Sequence, residues 1–243
     1  MTKSIVTVNY KNNIKLAHPL MALGLLTLAA CTTTEKARID TSAGLNCGLL
    51  GHGCSSRLVA GNKDQIGMRY VNPAAQWTNY KQVMISPVTF WGGDSTQVSS
   101  ADQQALVNYF NQQLQQELGK KFTIAQQPGP GVLKIEVAMT DAETATPLLR
   151  SVTMIVPQAH MISNFKYLAT GTFPFVGGAQ GEIRVTDSVT GKTLFEGLDR
   201  RIGGGSFTTG FQWQWGDAEN AITKWSELLT ERLSAWTSGT EKP

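Results

Sequence analysis

The chain is poor in the residues that usually announce chemistry. It has three histidines and three cysteines in 243 residues, and only 16% of it is charged. No Gly-x-Ser-x-Gly elbow, His-Glu-x-x-His pair or other paired catalytic motif occurs, so nothing in the sequence points to an enzyme or to a metal or other cofactor. Gly191-Lys192-Thr193 is not a phosphate loop, because Thr186 stands where the motif needs its first glycine and a strand pattern, not a helix, follows. There is also little net charge. The total is +3, but Lys3, Lys11 and Lys15 fall in the first thirty residues with no acid beside them, which leaves 18 bases facing 18 acids in the remainder. A neutral body lacks the basic face that nucleic acid requires. At 41% hydrophobic residues the chain is not a disordered tail either. Its longest apolar run, residues 16–30, is shorter than the ~20 residues a membrane-spanning helix needs.

That run has a different use. Residues 1–15 are polar and basic, 16–30 are apolar, and Ala29-Ala30 precede Cys31. Basic, apolar and small-residue regions in that order make a secretory leader. Leu28-Ala29-Ala30-Cys31 resembles the lipobox of bacterial lipoproteins. The resemblance implies a diacylglyceryl group on the Cys31 thiol, cleavage between Ala30 and Cys31, and acylation of the new amine by a chain such as palmitate. Two or three acyl chains hold a protein stably on a membrane where one does not. Thr32 stands where that family places Asp for inner-membrane retention, so the resemblance also implies an outer-membrane anchor facing the periplasm. Residues 32–46 are polar and small and read, with Cys31, as a flexible tether. The folded domain is expected over residues 47–237, followed by a tail, 238–243.

With Cys31 modified, Cys47 and Cys54 remain, bracketing a loop of turn formers around His52. In an oxidising compartment a disulfide is the expectation. A metal site using His52 is the alternative, against which stand the spacing and the want of further ligands. Two unpaired thiols are the third reading.

Beyond the tether, periodicity gives one α+β domain: a mixed, mainly antiparallel sheet with two main helices packed on one face. Residues 81–90 are β-branched and apolar, a strand that Pro87 shortens or pushes to an edge. Residues 100–118 form a helix through Leu106, Phe110, Leu114 and Leu118, opened by a Ser100/Gln103 capping box and stopped at Gly119. A short strand at 122–125 and a turn at 127–131 follow. Leu133, Ile135, Val137 and Met139 alternate with polar neighbours on a strand over 132–139. Residues 181–186 and 193–198 pair across a turn. A second helix, 216–237, carries Ala218, Ile222, Trp225, Leu229, Leu233 and Trp236 on one stripe, with Asp217 as its cap.

Four stretches are candidate sites. Residues 147–181 hold only Arg150 and Lys166 as charges; they read as a buried connection over the open sheet face or as an interaction surface. Phe211, Trp213 and Trp215 alternate with glutamines; on a strand they would present one aromatic face, for the core or for stacking on peptidoglycan sugars. Asp199, Arg200 and Arg201 precede a glycine run; they read as a strand end with a salt bridge before a flexing loop, or, through Arg200 and Arg201, as a candidate anion site. Asp141 and Glu143 make a close carboxylate pair at another strand end.

Tyr70-Val-Asn-Pro73, Trp77-x-x-Tyr80, Ile85-Ser-Pro-Val-Thr-Phe-Trp91, Gln127-Pro-Gly-Pro-Gly-Val-Leu133, Thr140-Asp-Ala-Glu143, Asp199-Arg-Arg201 and Trp215-Gly-Asp217 together resemble a bacterial family of lipoproteins, domain of unknown function 3313, over residues 60–237. That family brings no activity or site residues with it. In element order the domain is also similar to the small α+β domains of the curli-secretion and transport auxiliary lipoproteins, an analogy of fold alone. The expectation is a lipid-anchored, periplasm-facing component of the envelope that acts by binding or assembly. Its partner is a protein complex or peptidoglycan. A glycan-binding module and an envelope hydrolase with a hidden site are the alternatives.

Overall fold

Alternating apolar residues and a tight turn set the centre of the molecule. Strands at 178–187 and 193–203 pair antiparallel around the turn at 188–192, where Asp187 accepts from the N–H groups of Val189 and Thr190 and Gly191 takes a φ of 68°. The structure is a computed structural model that describes residues 34–39, 41, 45, 47–92, 96–143, 177–203 and 214–243. In chain order its elements are β1 (Thr34–Lys36), α1 (Cys54–Arg57), β2 (Val59–Ala60), β3 (Met68–Val71), a 3₁₀ turn (Trp77–Asn79), β4 (Gln82–Ile85), β5 (Thr89–Phe90), α2 (Ser100–Gly119), β6 (Thr123–Ile124), β7 (Val132–Glu143), β8 (Gly178–Asp187), β9 (Thr193–Gly203) and α3 (Gly216–Ser238). The strands form one sheet in the order β2-β3-β9-β8-β7-β4-β6, with β1 also on β9 and β5 also on β7. The pairs from β2 to β7 are antiparallel, as is β1 with β9; β4, β5 and β6 are joined in parallel. This is the α+β architecture expected, with both main helices on one face.

That face is the core. Leu133, Ile135, Val137 and Met139 of β7, with Val185 and Phe195, pack under Leu106, Phe110, Leu114 and Leu118 of α2 and Ala218, Ala221, Ile222, Leu233 and Trp236 of α3. Phe110 stacks on Trp225 at 5.9 Å between ring centroids, joining the helices. Buried hydroxyls on α3 turn back on their own helix: Ser226 donates to the Ile222 carbonyl and Thr230 to that of Ser226, both at 2.9 Å.

Several local expectations are corrected. The strand at 81–90 is two strands, because Pro87 has no N–H for the ladder and interrupts it. The cap of α2 is Ser99, not Ser100: its hydroxyl accepts from the Asp102 N–H and donates to the Asp102 carboxylate, while Gln103 reaches the Val98 carbonyl. Gly119 is the last helical residue, not a stop. The residue capping α3 is Trp215; Asp217 lies inside the first turn, wholly buried, accepting from the Gly177 N–H at 2.8 Å. Residues 34–39 are not free tether. Thr34, Glu35 and Lys36 pair with Gly203, Ile202 and Arg201, and the Ala37 N–H donates to the Arg200 carbonyl. The tail begins by closing α3, with Gly239 left-handed and the Thr240 N–H on the Ala235 carbonyl.

On the opposite sheet face lies the segment that opens the expected domain, which the sequence reading did not place against the sheet. Cys47 and Cys54 form a disulfide, as expected. Leu50, Cys54 and Leu58 pack on Leu198, with Ile39, Leu49, Met68 and Tyr70 around them. The competing candidate for this cover, residues 147–181, lies outside the described residues up to 176.

Candidate functional site

Successive residues of a strand leave opposite faces. On β9, Phe195, Gly197, Asp199 and Arg201 therefore point toward the helices, and Glu196, Leu198 and Arg200 point away. A cavity of about 100 Å³ lies on the helix side. Its walls are Phe110 and Leu114 of α2, Trp225, Leu229 and Trp236 of α3, and Val137, Ile183 and Phe195 of the sheet. Glycine makes the room: a Cβ on Gly197 would come within 2.6 Å of Ile66 Cδ1, and Gly181 lies directly under the Trp225 ring. The alternation that fills the core with leucine elsewhere leaves bare backbone here.

At one end of the cavity is a buried ion pair. Asp199 is 2% exposed. It accepts from the Gly67 N–H at 2.8 Å and from Trp225 Nε1 at 2.9 Å, and lies 3.6 Å from the Arg201 guanidinium. Arg201 also donates to the Thr34 hydroxyl at 2.9 Å and the Thr34 carbonyl at 3.2 Å. Burial holds the Asp199 carboxyl above its ordinary range, with the Trp225, Arg201 and Gly67 contacts opposing. Burial likewise lowers the Arg201 guanidinium, with Asp199 opposing. For both groups desolvation outweighs the mutual attraction, and their partners are fixed donors and acceptors rather than solvent.

The rim carries Asp64, Arg69 and Arg232. Arg232 is engaged by Glu241 at 2.8 Å and by the Asp64 carbonyl at 3.1 Å. Arg69, half-buried on β3, donates to no acceptor among the described residues. Its guanidinium is lowered by burial and then by the positive charge of Arg232. Two cations therefore face one opening.

On the other face a charged ladder runs under the disulfide loop. The Glu182 carboxylate, 1% exposed, accepts from the Gly48 N–H at 3.0 Å and the Leu50 N–H at 2.9 Å. Glu196 holds Arg57 at 2.9 Å and Arg184 at 3.3 Å, and Lys134 pairs with Glu136 at 2.9 Å. Arg184 also reaches the Leu49 carbonyl at 2.8 Å. Glu182, Arg57 and Arg184 fasten the loop to the sheet, the two arginines being held in turn by Glu196.

Of the residues singled out by sequence, Arg200 and Arg201 do not converge. β9 continues through them to Gly203, so they leave opposite faces and one anion cannot sit between them. Trp215 is 3% exposed at the head of α3, so it is a core residue and not part of an exposed aromatic strand face; Phe211 and Trp213 lie outside the described residues. Asp141 is in β7 beyond a register shift, and the side chain of Glu143 is outside the described residues. Cys31 and Ala30 are outside them too. His52 is not gathered with other ligands: no cluster of three or more His, Cys, Asp or Glu suited to a metal occurs among the described residues. Nor is any described helix long and apolar enough to cross a membrane. The sequence reading missed Arg69 and named Asp199 only as a strand-end partner of Arg200 and Arg201, not as a buried group facing the helices. The signal for Asp199 was available in the alternation Phe195, Gly197, Asp199, Arg201, which continues the inward face of the strand.

Residues 51–229 match a family model described as a protein of unknown function, DUF3313. No curated protein matches the sequence. Among solved structures, a PelC dodecamer from Paraburkholderia phytofirmans is 9% identical, with 67% of this chain and 94% of that one covered and a TM-score of 0.37. A Xanthomonas campestris protein of family DUF330 is 12% identical, with 70% and 92% covered and a TM-score of 0.39. At those values neither bears on function or assembly.

Proposed function

The chain belongs to the DUF3313 family of proteins of unknown function, and from that premise we propose that it is a lipid-anchored protein of the bacterial envelope. In this reading acylated Cys31 fixes it to the outer membrane, facing the periplasm, where it works by binding or assembly and without turnover. The sequence Leu28-Ala29-Ala30-Cys31 after a basic and then apolar leader carries the reading. The disulfide between Cys47 and Cys54 agrees with an oxidising compartment.

The fold adds a consequence. β1 begins at Thr34, so only Thr32 and Thr33 separate an acylated Cys31 from the sheet. At ~3.5 Å per residue the leash is ~10 Å, against ~50 Å for a tether through residue 46. The domain would lie against the membrane, with the end of the sheet marked by Thr34, Gly203 and Gly178 nearest to it. Mass spectrometry of the protein purified from cells tests the anchor: residue 31 should be the amino terminus and carry acyl groups, and Cys31→Ser should leave the membrane fraction. An unmodified thiol with the leader attached overturns the reading.

A further inference from the structure

We propose that the cavity between α2, α3 and the sheet binds a small amphiphilic anion. The ligand class is a carboxylate or phosphate monoester bearing a short alkyl chain or a single ring. The apolar part enters the cavity and the anionic group rests on Arg69, with Arg232 behind it.

Three independent features lead there. The first is size: about 100 Å³ is the scale of cavities that take up one small ring or a few methylenes. The second is lining, which is aromatic and aliphatic along the walls, so that a dry apolar group is preferred to water. The third is charge. Every other charged group at the opening except Asp64 has a partner: Asp199 holds Arg201, Trp225 and Gly67, and Arg232 holds Glu241. Arg69 is half-buried and repelled by Arg232, with no acceptor among the described residues. A half-buried guanidinium beside a second one and without an acceptor is suited to an anion. An apolar ligand alone would leave that arrangement unanswered, and a bare inorganic anion would leave the cavity empty. The Asp64 carboxylate sits on the same rim and disfavours a dianion close to it, so a monoanion is the better fit.

The site lies wholly within the folded domain, so the inference does not rest on acylation of Cys31 and the test below does not report it. The full chain, in phosphatidylcholine nanodiscs, is labelled with 5-fluorotryptophan, and the Trp225 resonance is identified by its loss in Trp225→Phe. Hexanoate, hexyl phosphate, hexan-1-ol and acetate are titrated separately. Hexanoate should shift the Trp225 signal saturably and bind about tenfold tighter than hexan-1-ol, with hexyl phosphate between them or equal to hexanoate and acetate without effect. Arg69→Gln should bring hexanoate down to the affinity of hexan-1-ol while leaving hexan-1-ol unchanged, and Arg69→Lys should restore part of the difference. Equal binding of hexanoate and hexan-1-ol, an acetate response matching that of hexanoate, or no saturable shift with any probe overturns the proposal. The ligand series on the unsubstituted chain decides it even where a variant fails to fold.

Discussion

The two faces of the sheet are built on opposite principles. The helix face is a continuous apolar core from Trp77 to Trp236, in which a buried ion pair, Asp199 with Arg201, is sunk beside a cavity. The far face has a small separate cluster around Leu50, Cys54, Leu58 and Leu198, and its cover is fastened largely by charge: Glu182 on two backbone amides, Glu196 on Arg57 and Arg184. Helices bury enough apolar area to hold themselves in place. A loop of Gly, His and Ser around two leucines cannot, so it needs polar clamps and a covalent link. The difference predicts where the molecule unfolds as a whole and where it opens only locally.

The largest effect should come from the helix face. Asp199→Ala removes the acceptor of Trp225 Nε1 and of the Gly67 N–H and leaves Arg201 buried without its counter-charge. Breaking a buried pair in this way costs about 3–5 kcal/mol. Asp199→Asn should lose much of the same, since one amide oxygen cannot serve both donors and its NH₂ would face one of them. Denaturant unfolding followed by Trp fluorescence should show a lower midpoint for the whole transition. A midpoint within experimental error of the unsubstituted protein would mean that the pair is no part of the global fold.

The far face should answer differently. Glu182→Ala leaves the partly buried Gly48 and buried Leu50 N–H groups without their acceptor, at about 2–3 kcal/mol for the docked loop. Replacing Cys47 and Cys54 together by Ser releases a short closed loop worth about 2–3 kcal/mol in the chain-entropy model. Amide hydrogen exchange should quicken over residues 47–58 in both variants, with α2, α3 and β7 little changed. Equal quickening throughout would abolish the distinction between the faces. Arg57→Ala should do least of the three, because its side chain is 38% exposed and Arg184 still holds Glu196.

The same contrast explains what could be read in the sequence. α2, α3 and β7 bury one stripe or one alternating set each, so Leu106–Leu118, Ile222–Trp236 and Leu133–Met139 announce themselves by period alone. The hairpin is equally plain from Asp187 to Lys192. β1 is illegible in the residues Thr-Glu-Lys, since its place comes only from register with the far end of β9. The charges of Asp199-Arg200-Arg201 look like a strand end, but alternation carries Asp199 and Arg201 inward to pair with each other while Arg200 goes to the other side. Asp217 has the residue type of a cap and lies two residues too late, buried against the backbone of Gly203, where any Cβ would collide with its carboxylate. In each case a long-range partner outweighed a local signal. The disulfide loop is the reverse case: its pairing was legible from compartment and spacing, its docking was not, because Glu182 is 132 residues away from Leu50.

The smallest effect lies at the margin between the faces, where Tyr80 joins the core to the hairpin turn. Its hydroxyl donates to Asp187 Oδ2 at 2.9 Å, and that carboxylate also accepts from the backbone and hydroxyl of Thr190. Burial, and then the hydrogen bond and charge of Asp187, push the Tyr80 phenol up to about 12. The backbone N–H of Thr190 above all holds Asp187 below its usual value. A phenol raised on folding gives stability that is fully present below its ordinary value of 10.0 and lost as pH climbs through about 12. Stability should therefore decline across that window in the parent protein. The decline should be shallower in Tyr80→Phe, which keeps the ring in the core and removes the proton. Phenolate absorbance gives the same group directly: of the tyrosines, one should ionise late in the parent and be missing from the variant. If all of them ionise together near 10, the bond to Asp187 is not formed in solution, and the turn at 188–192 is held by the Asp187–Thr190 contacts alone.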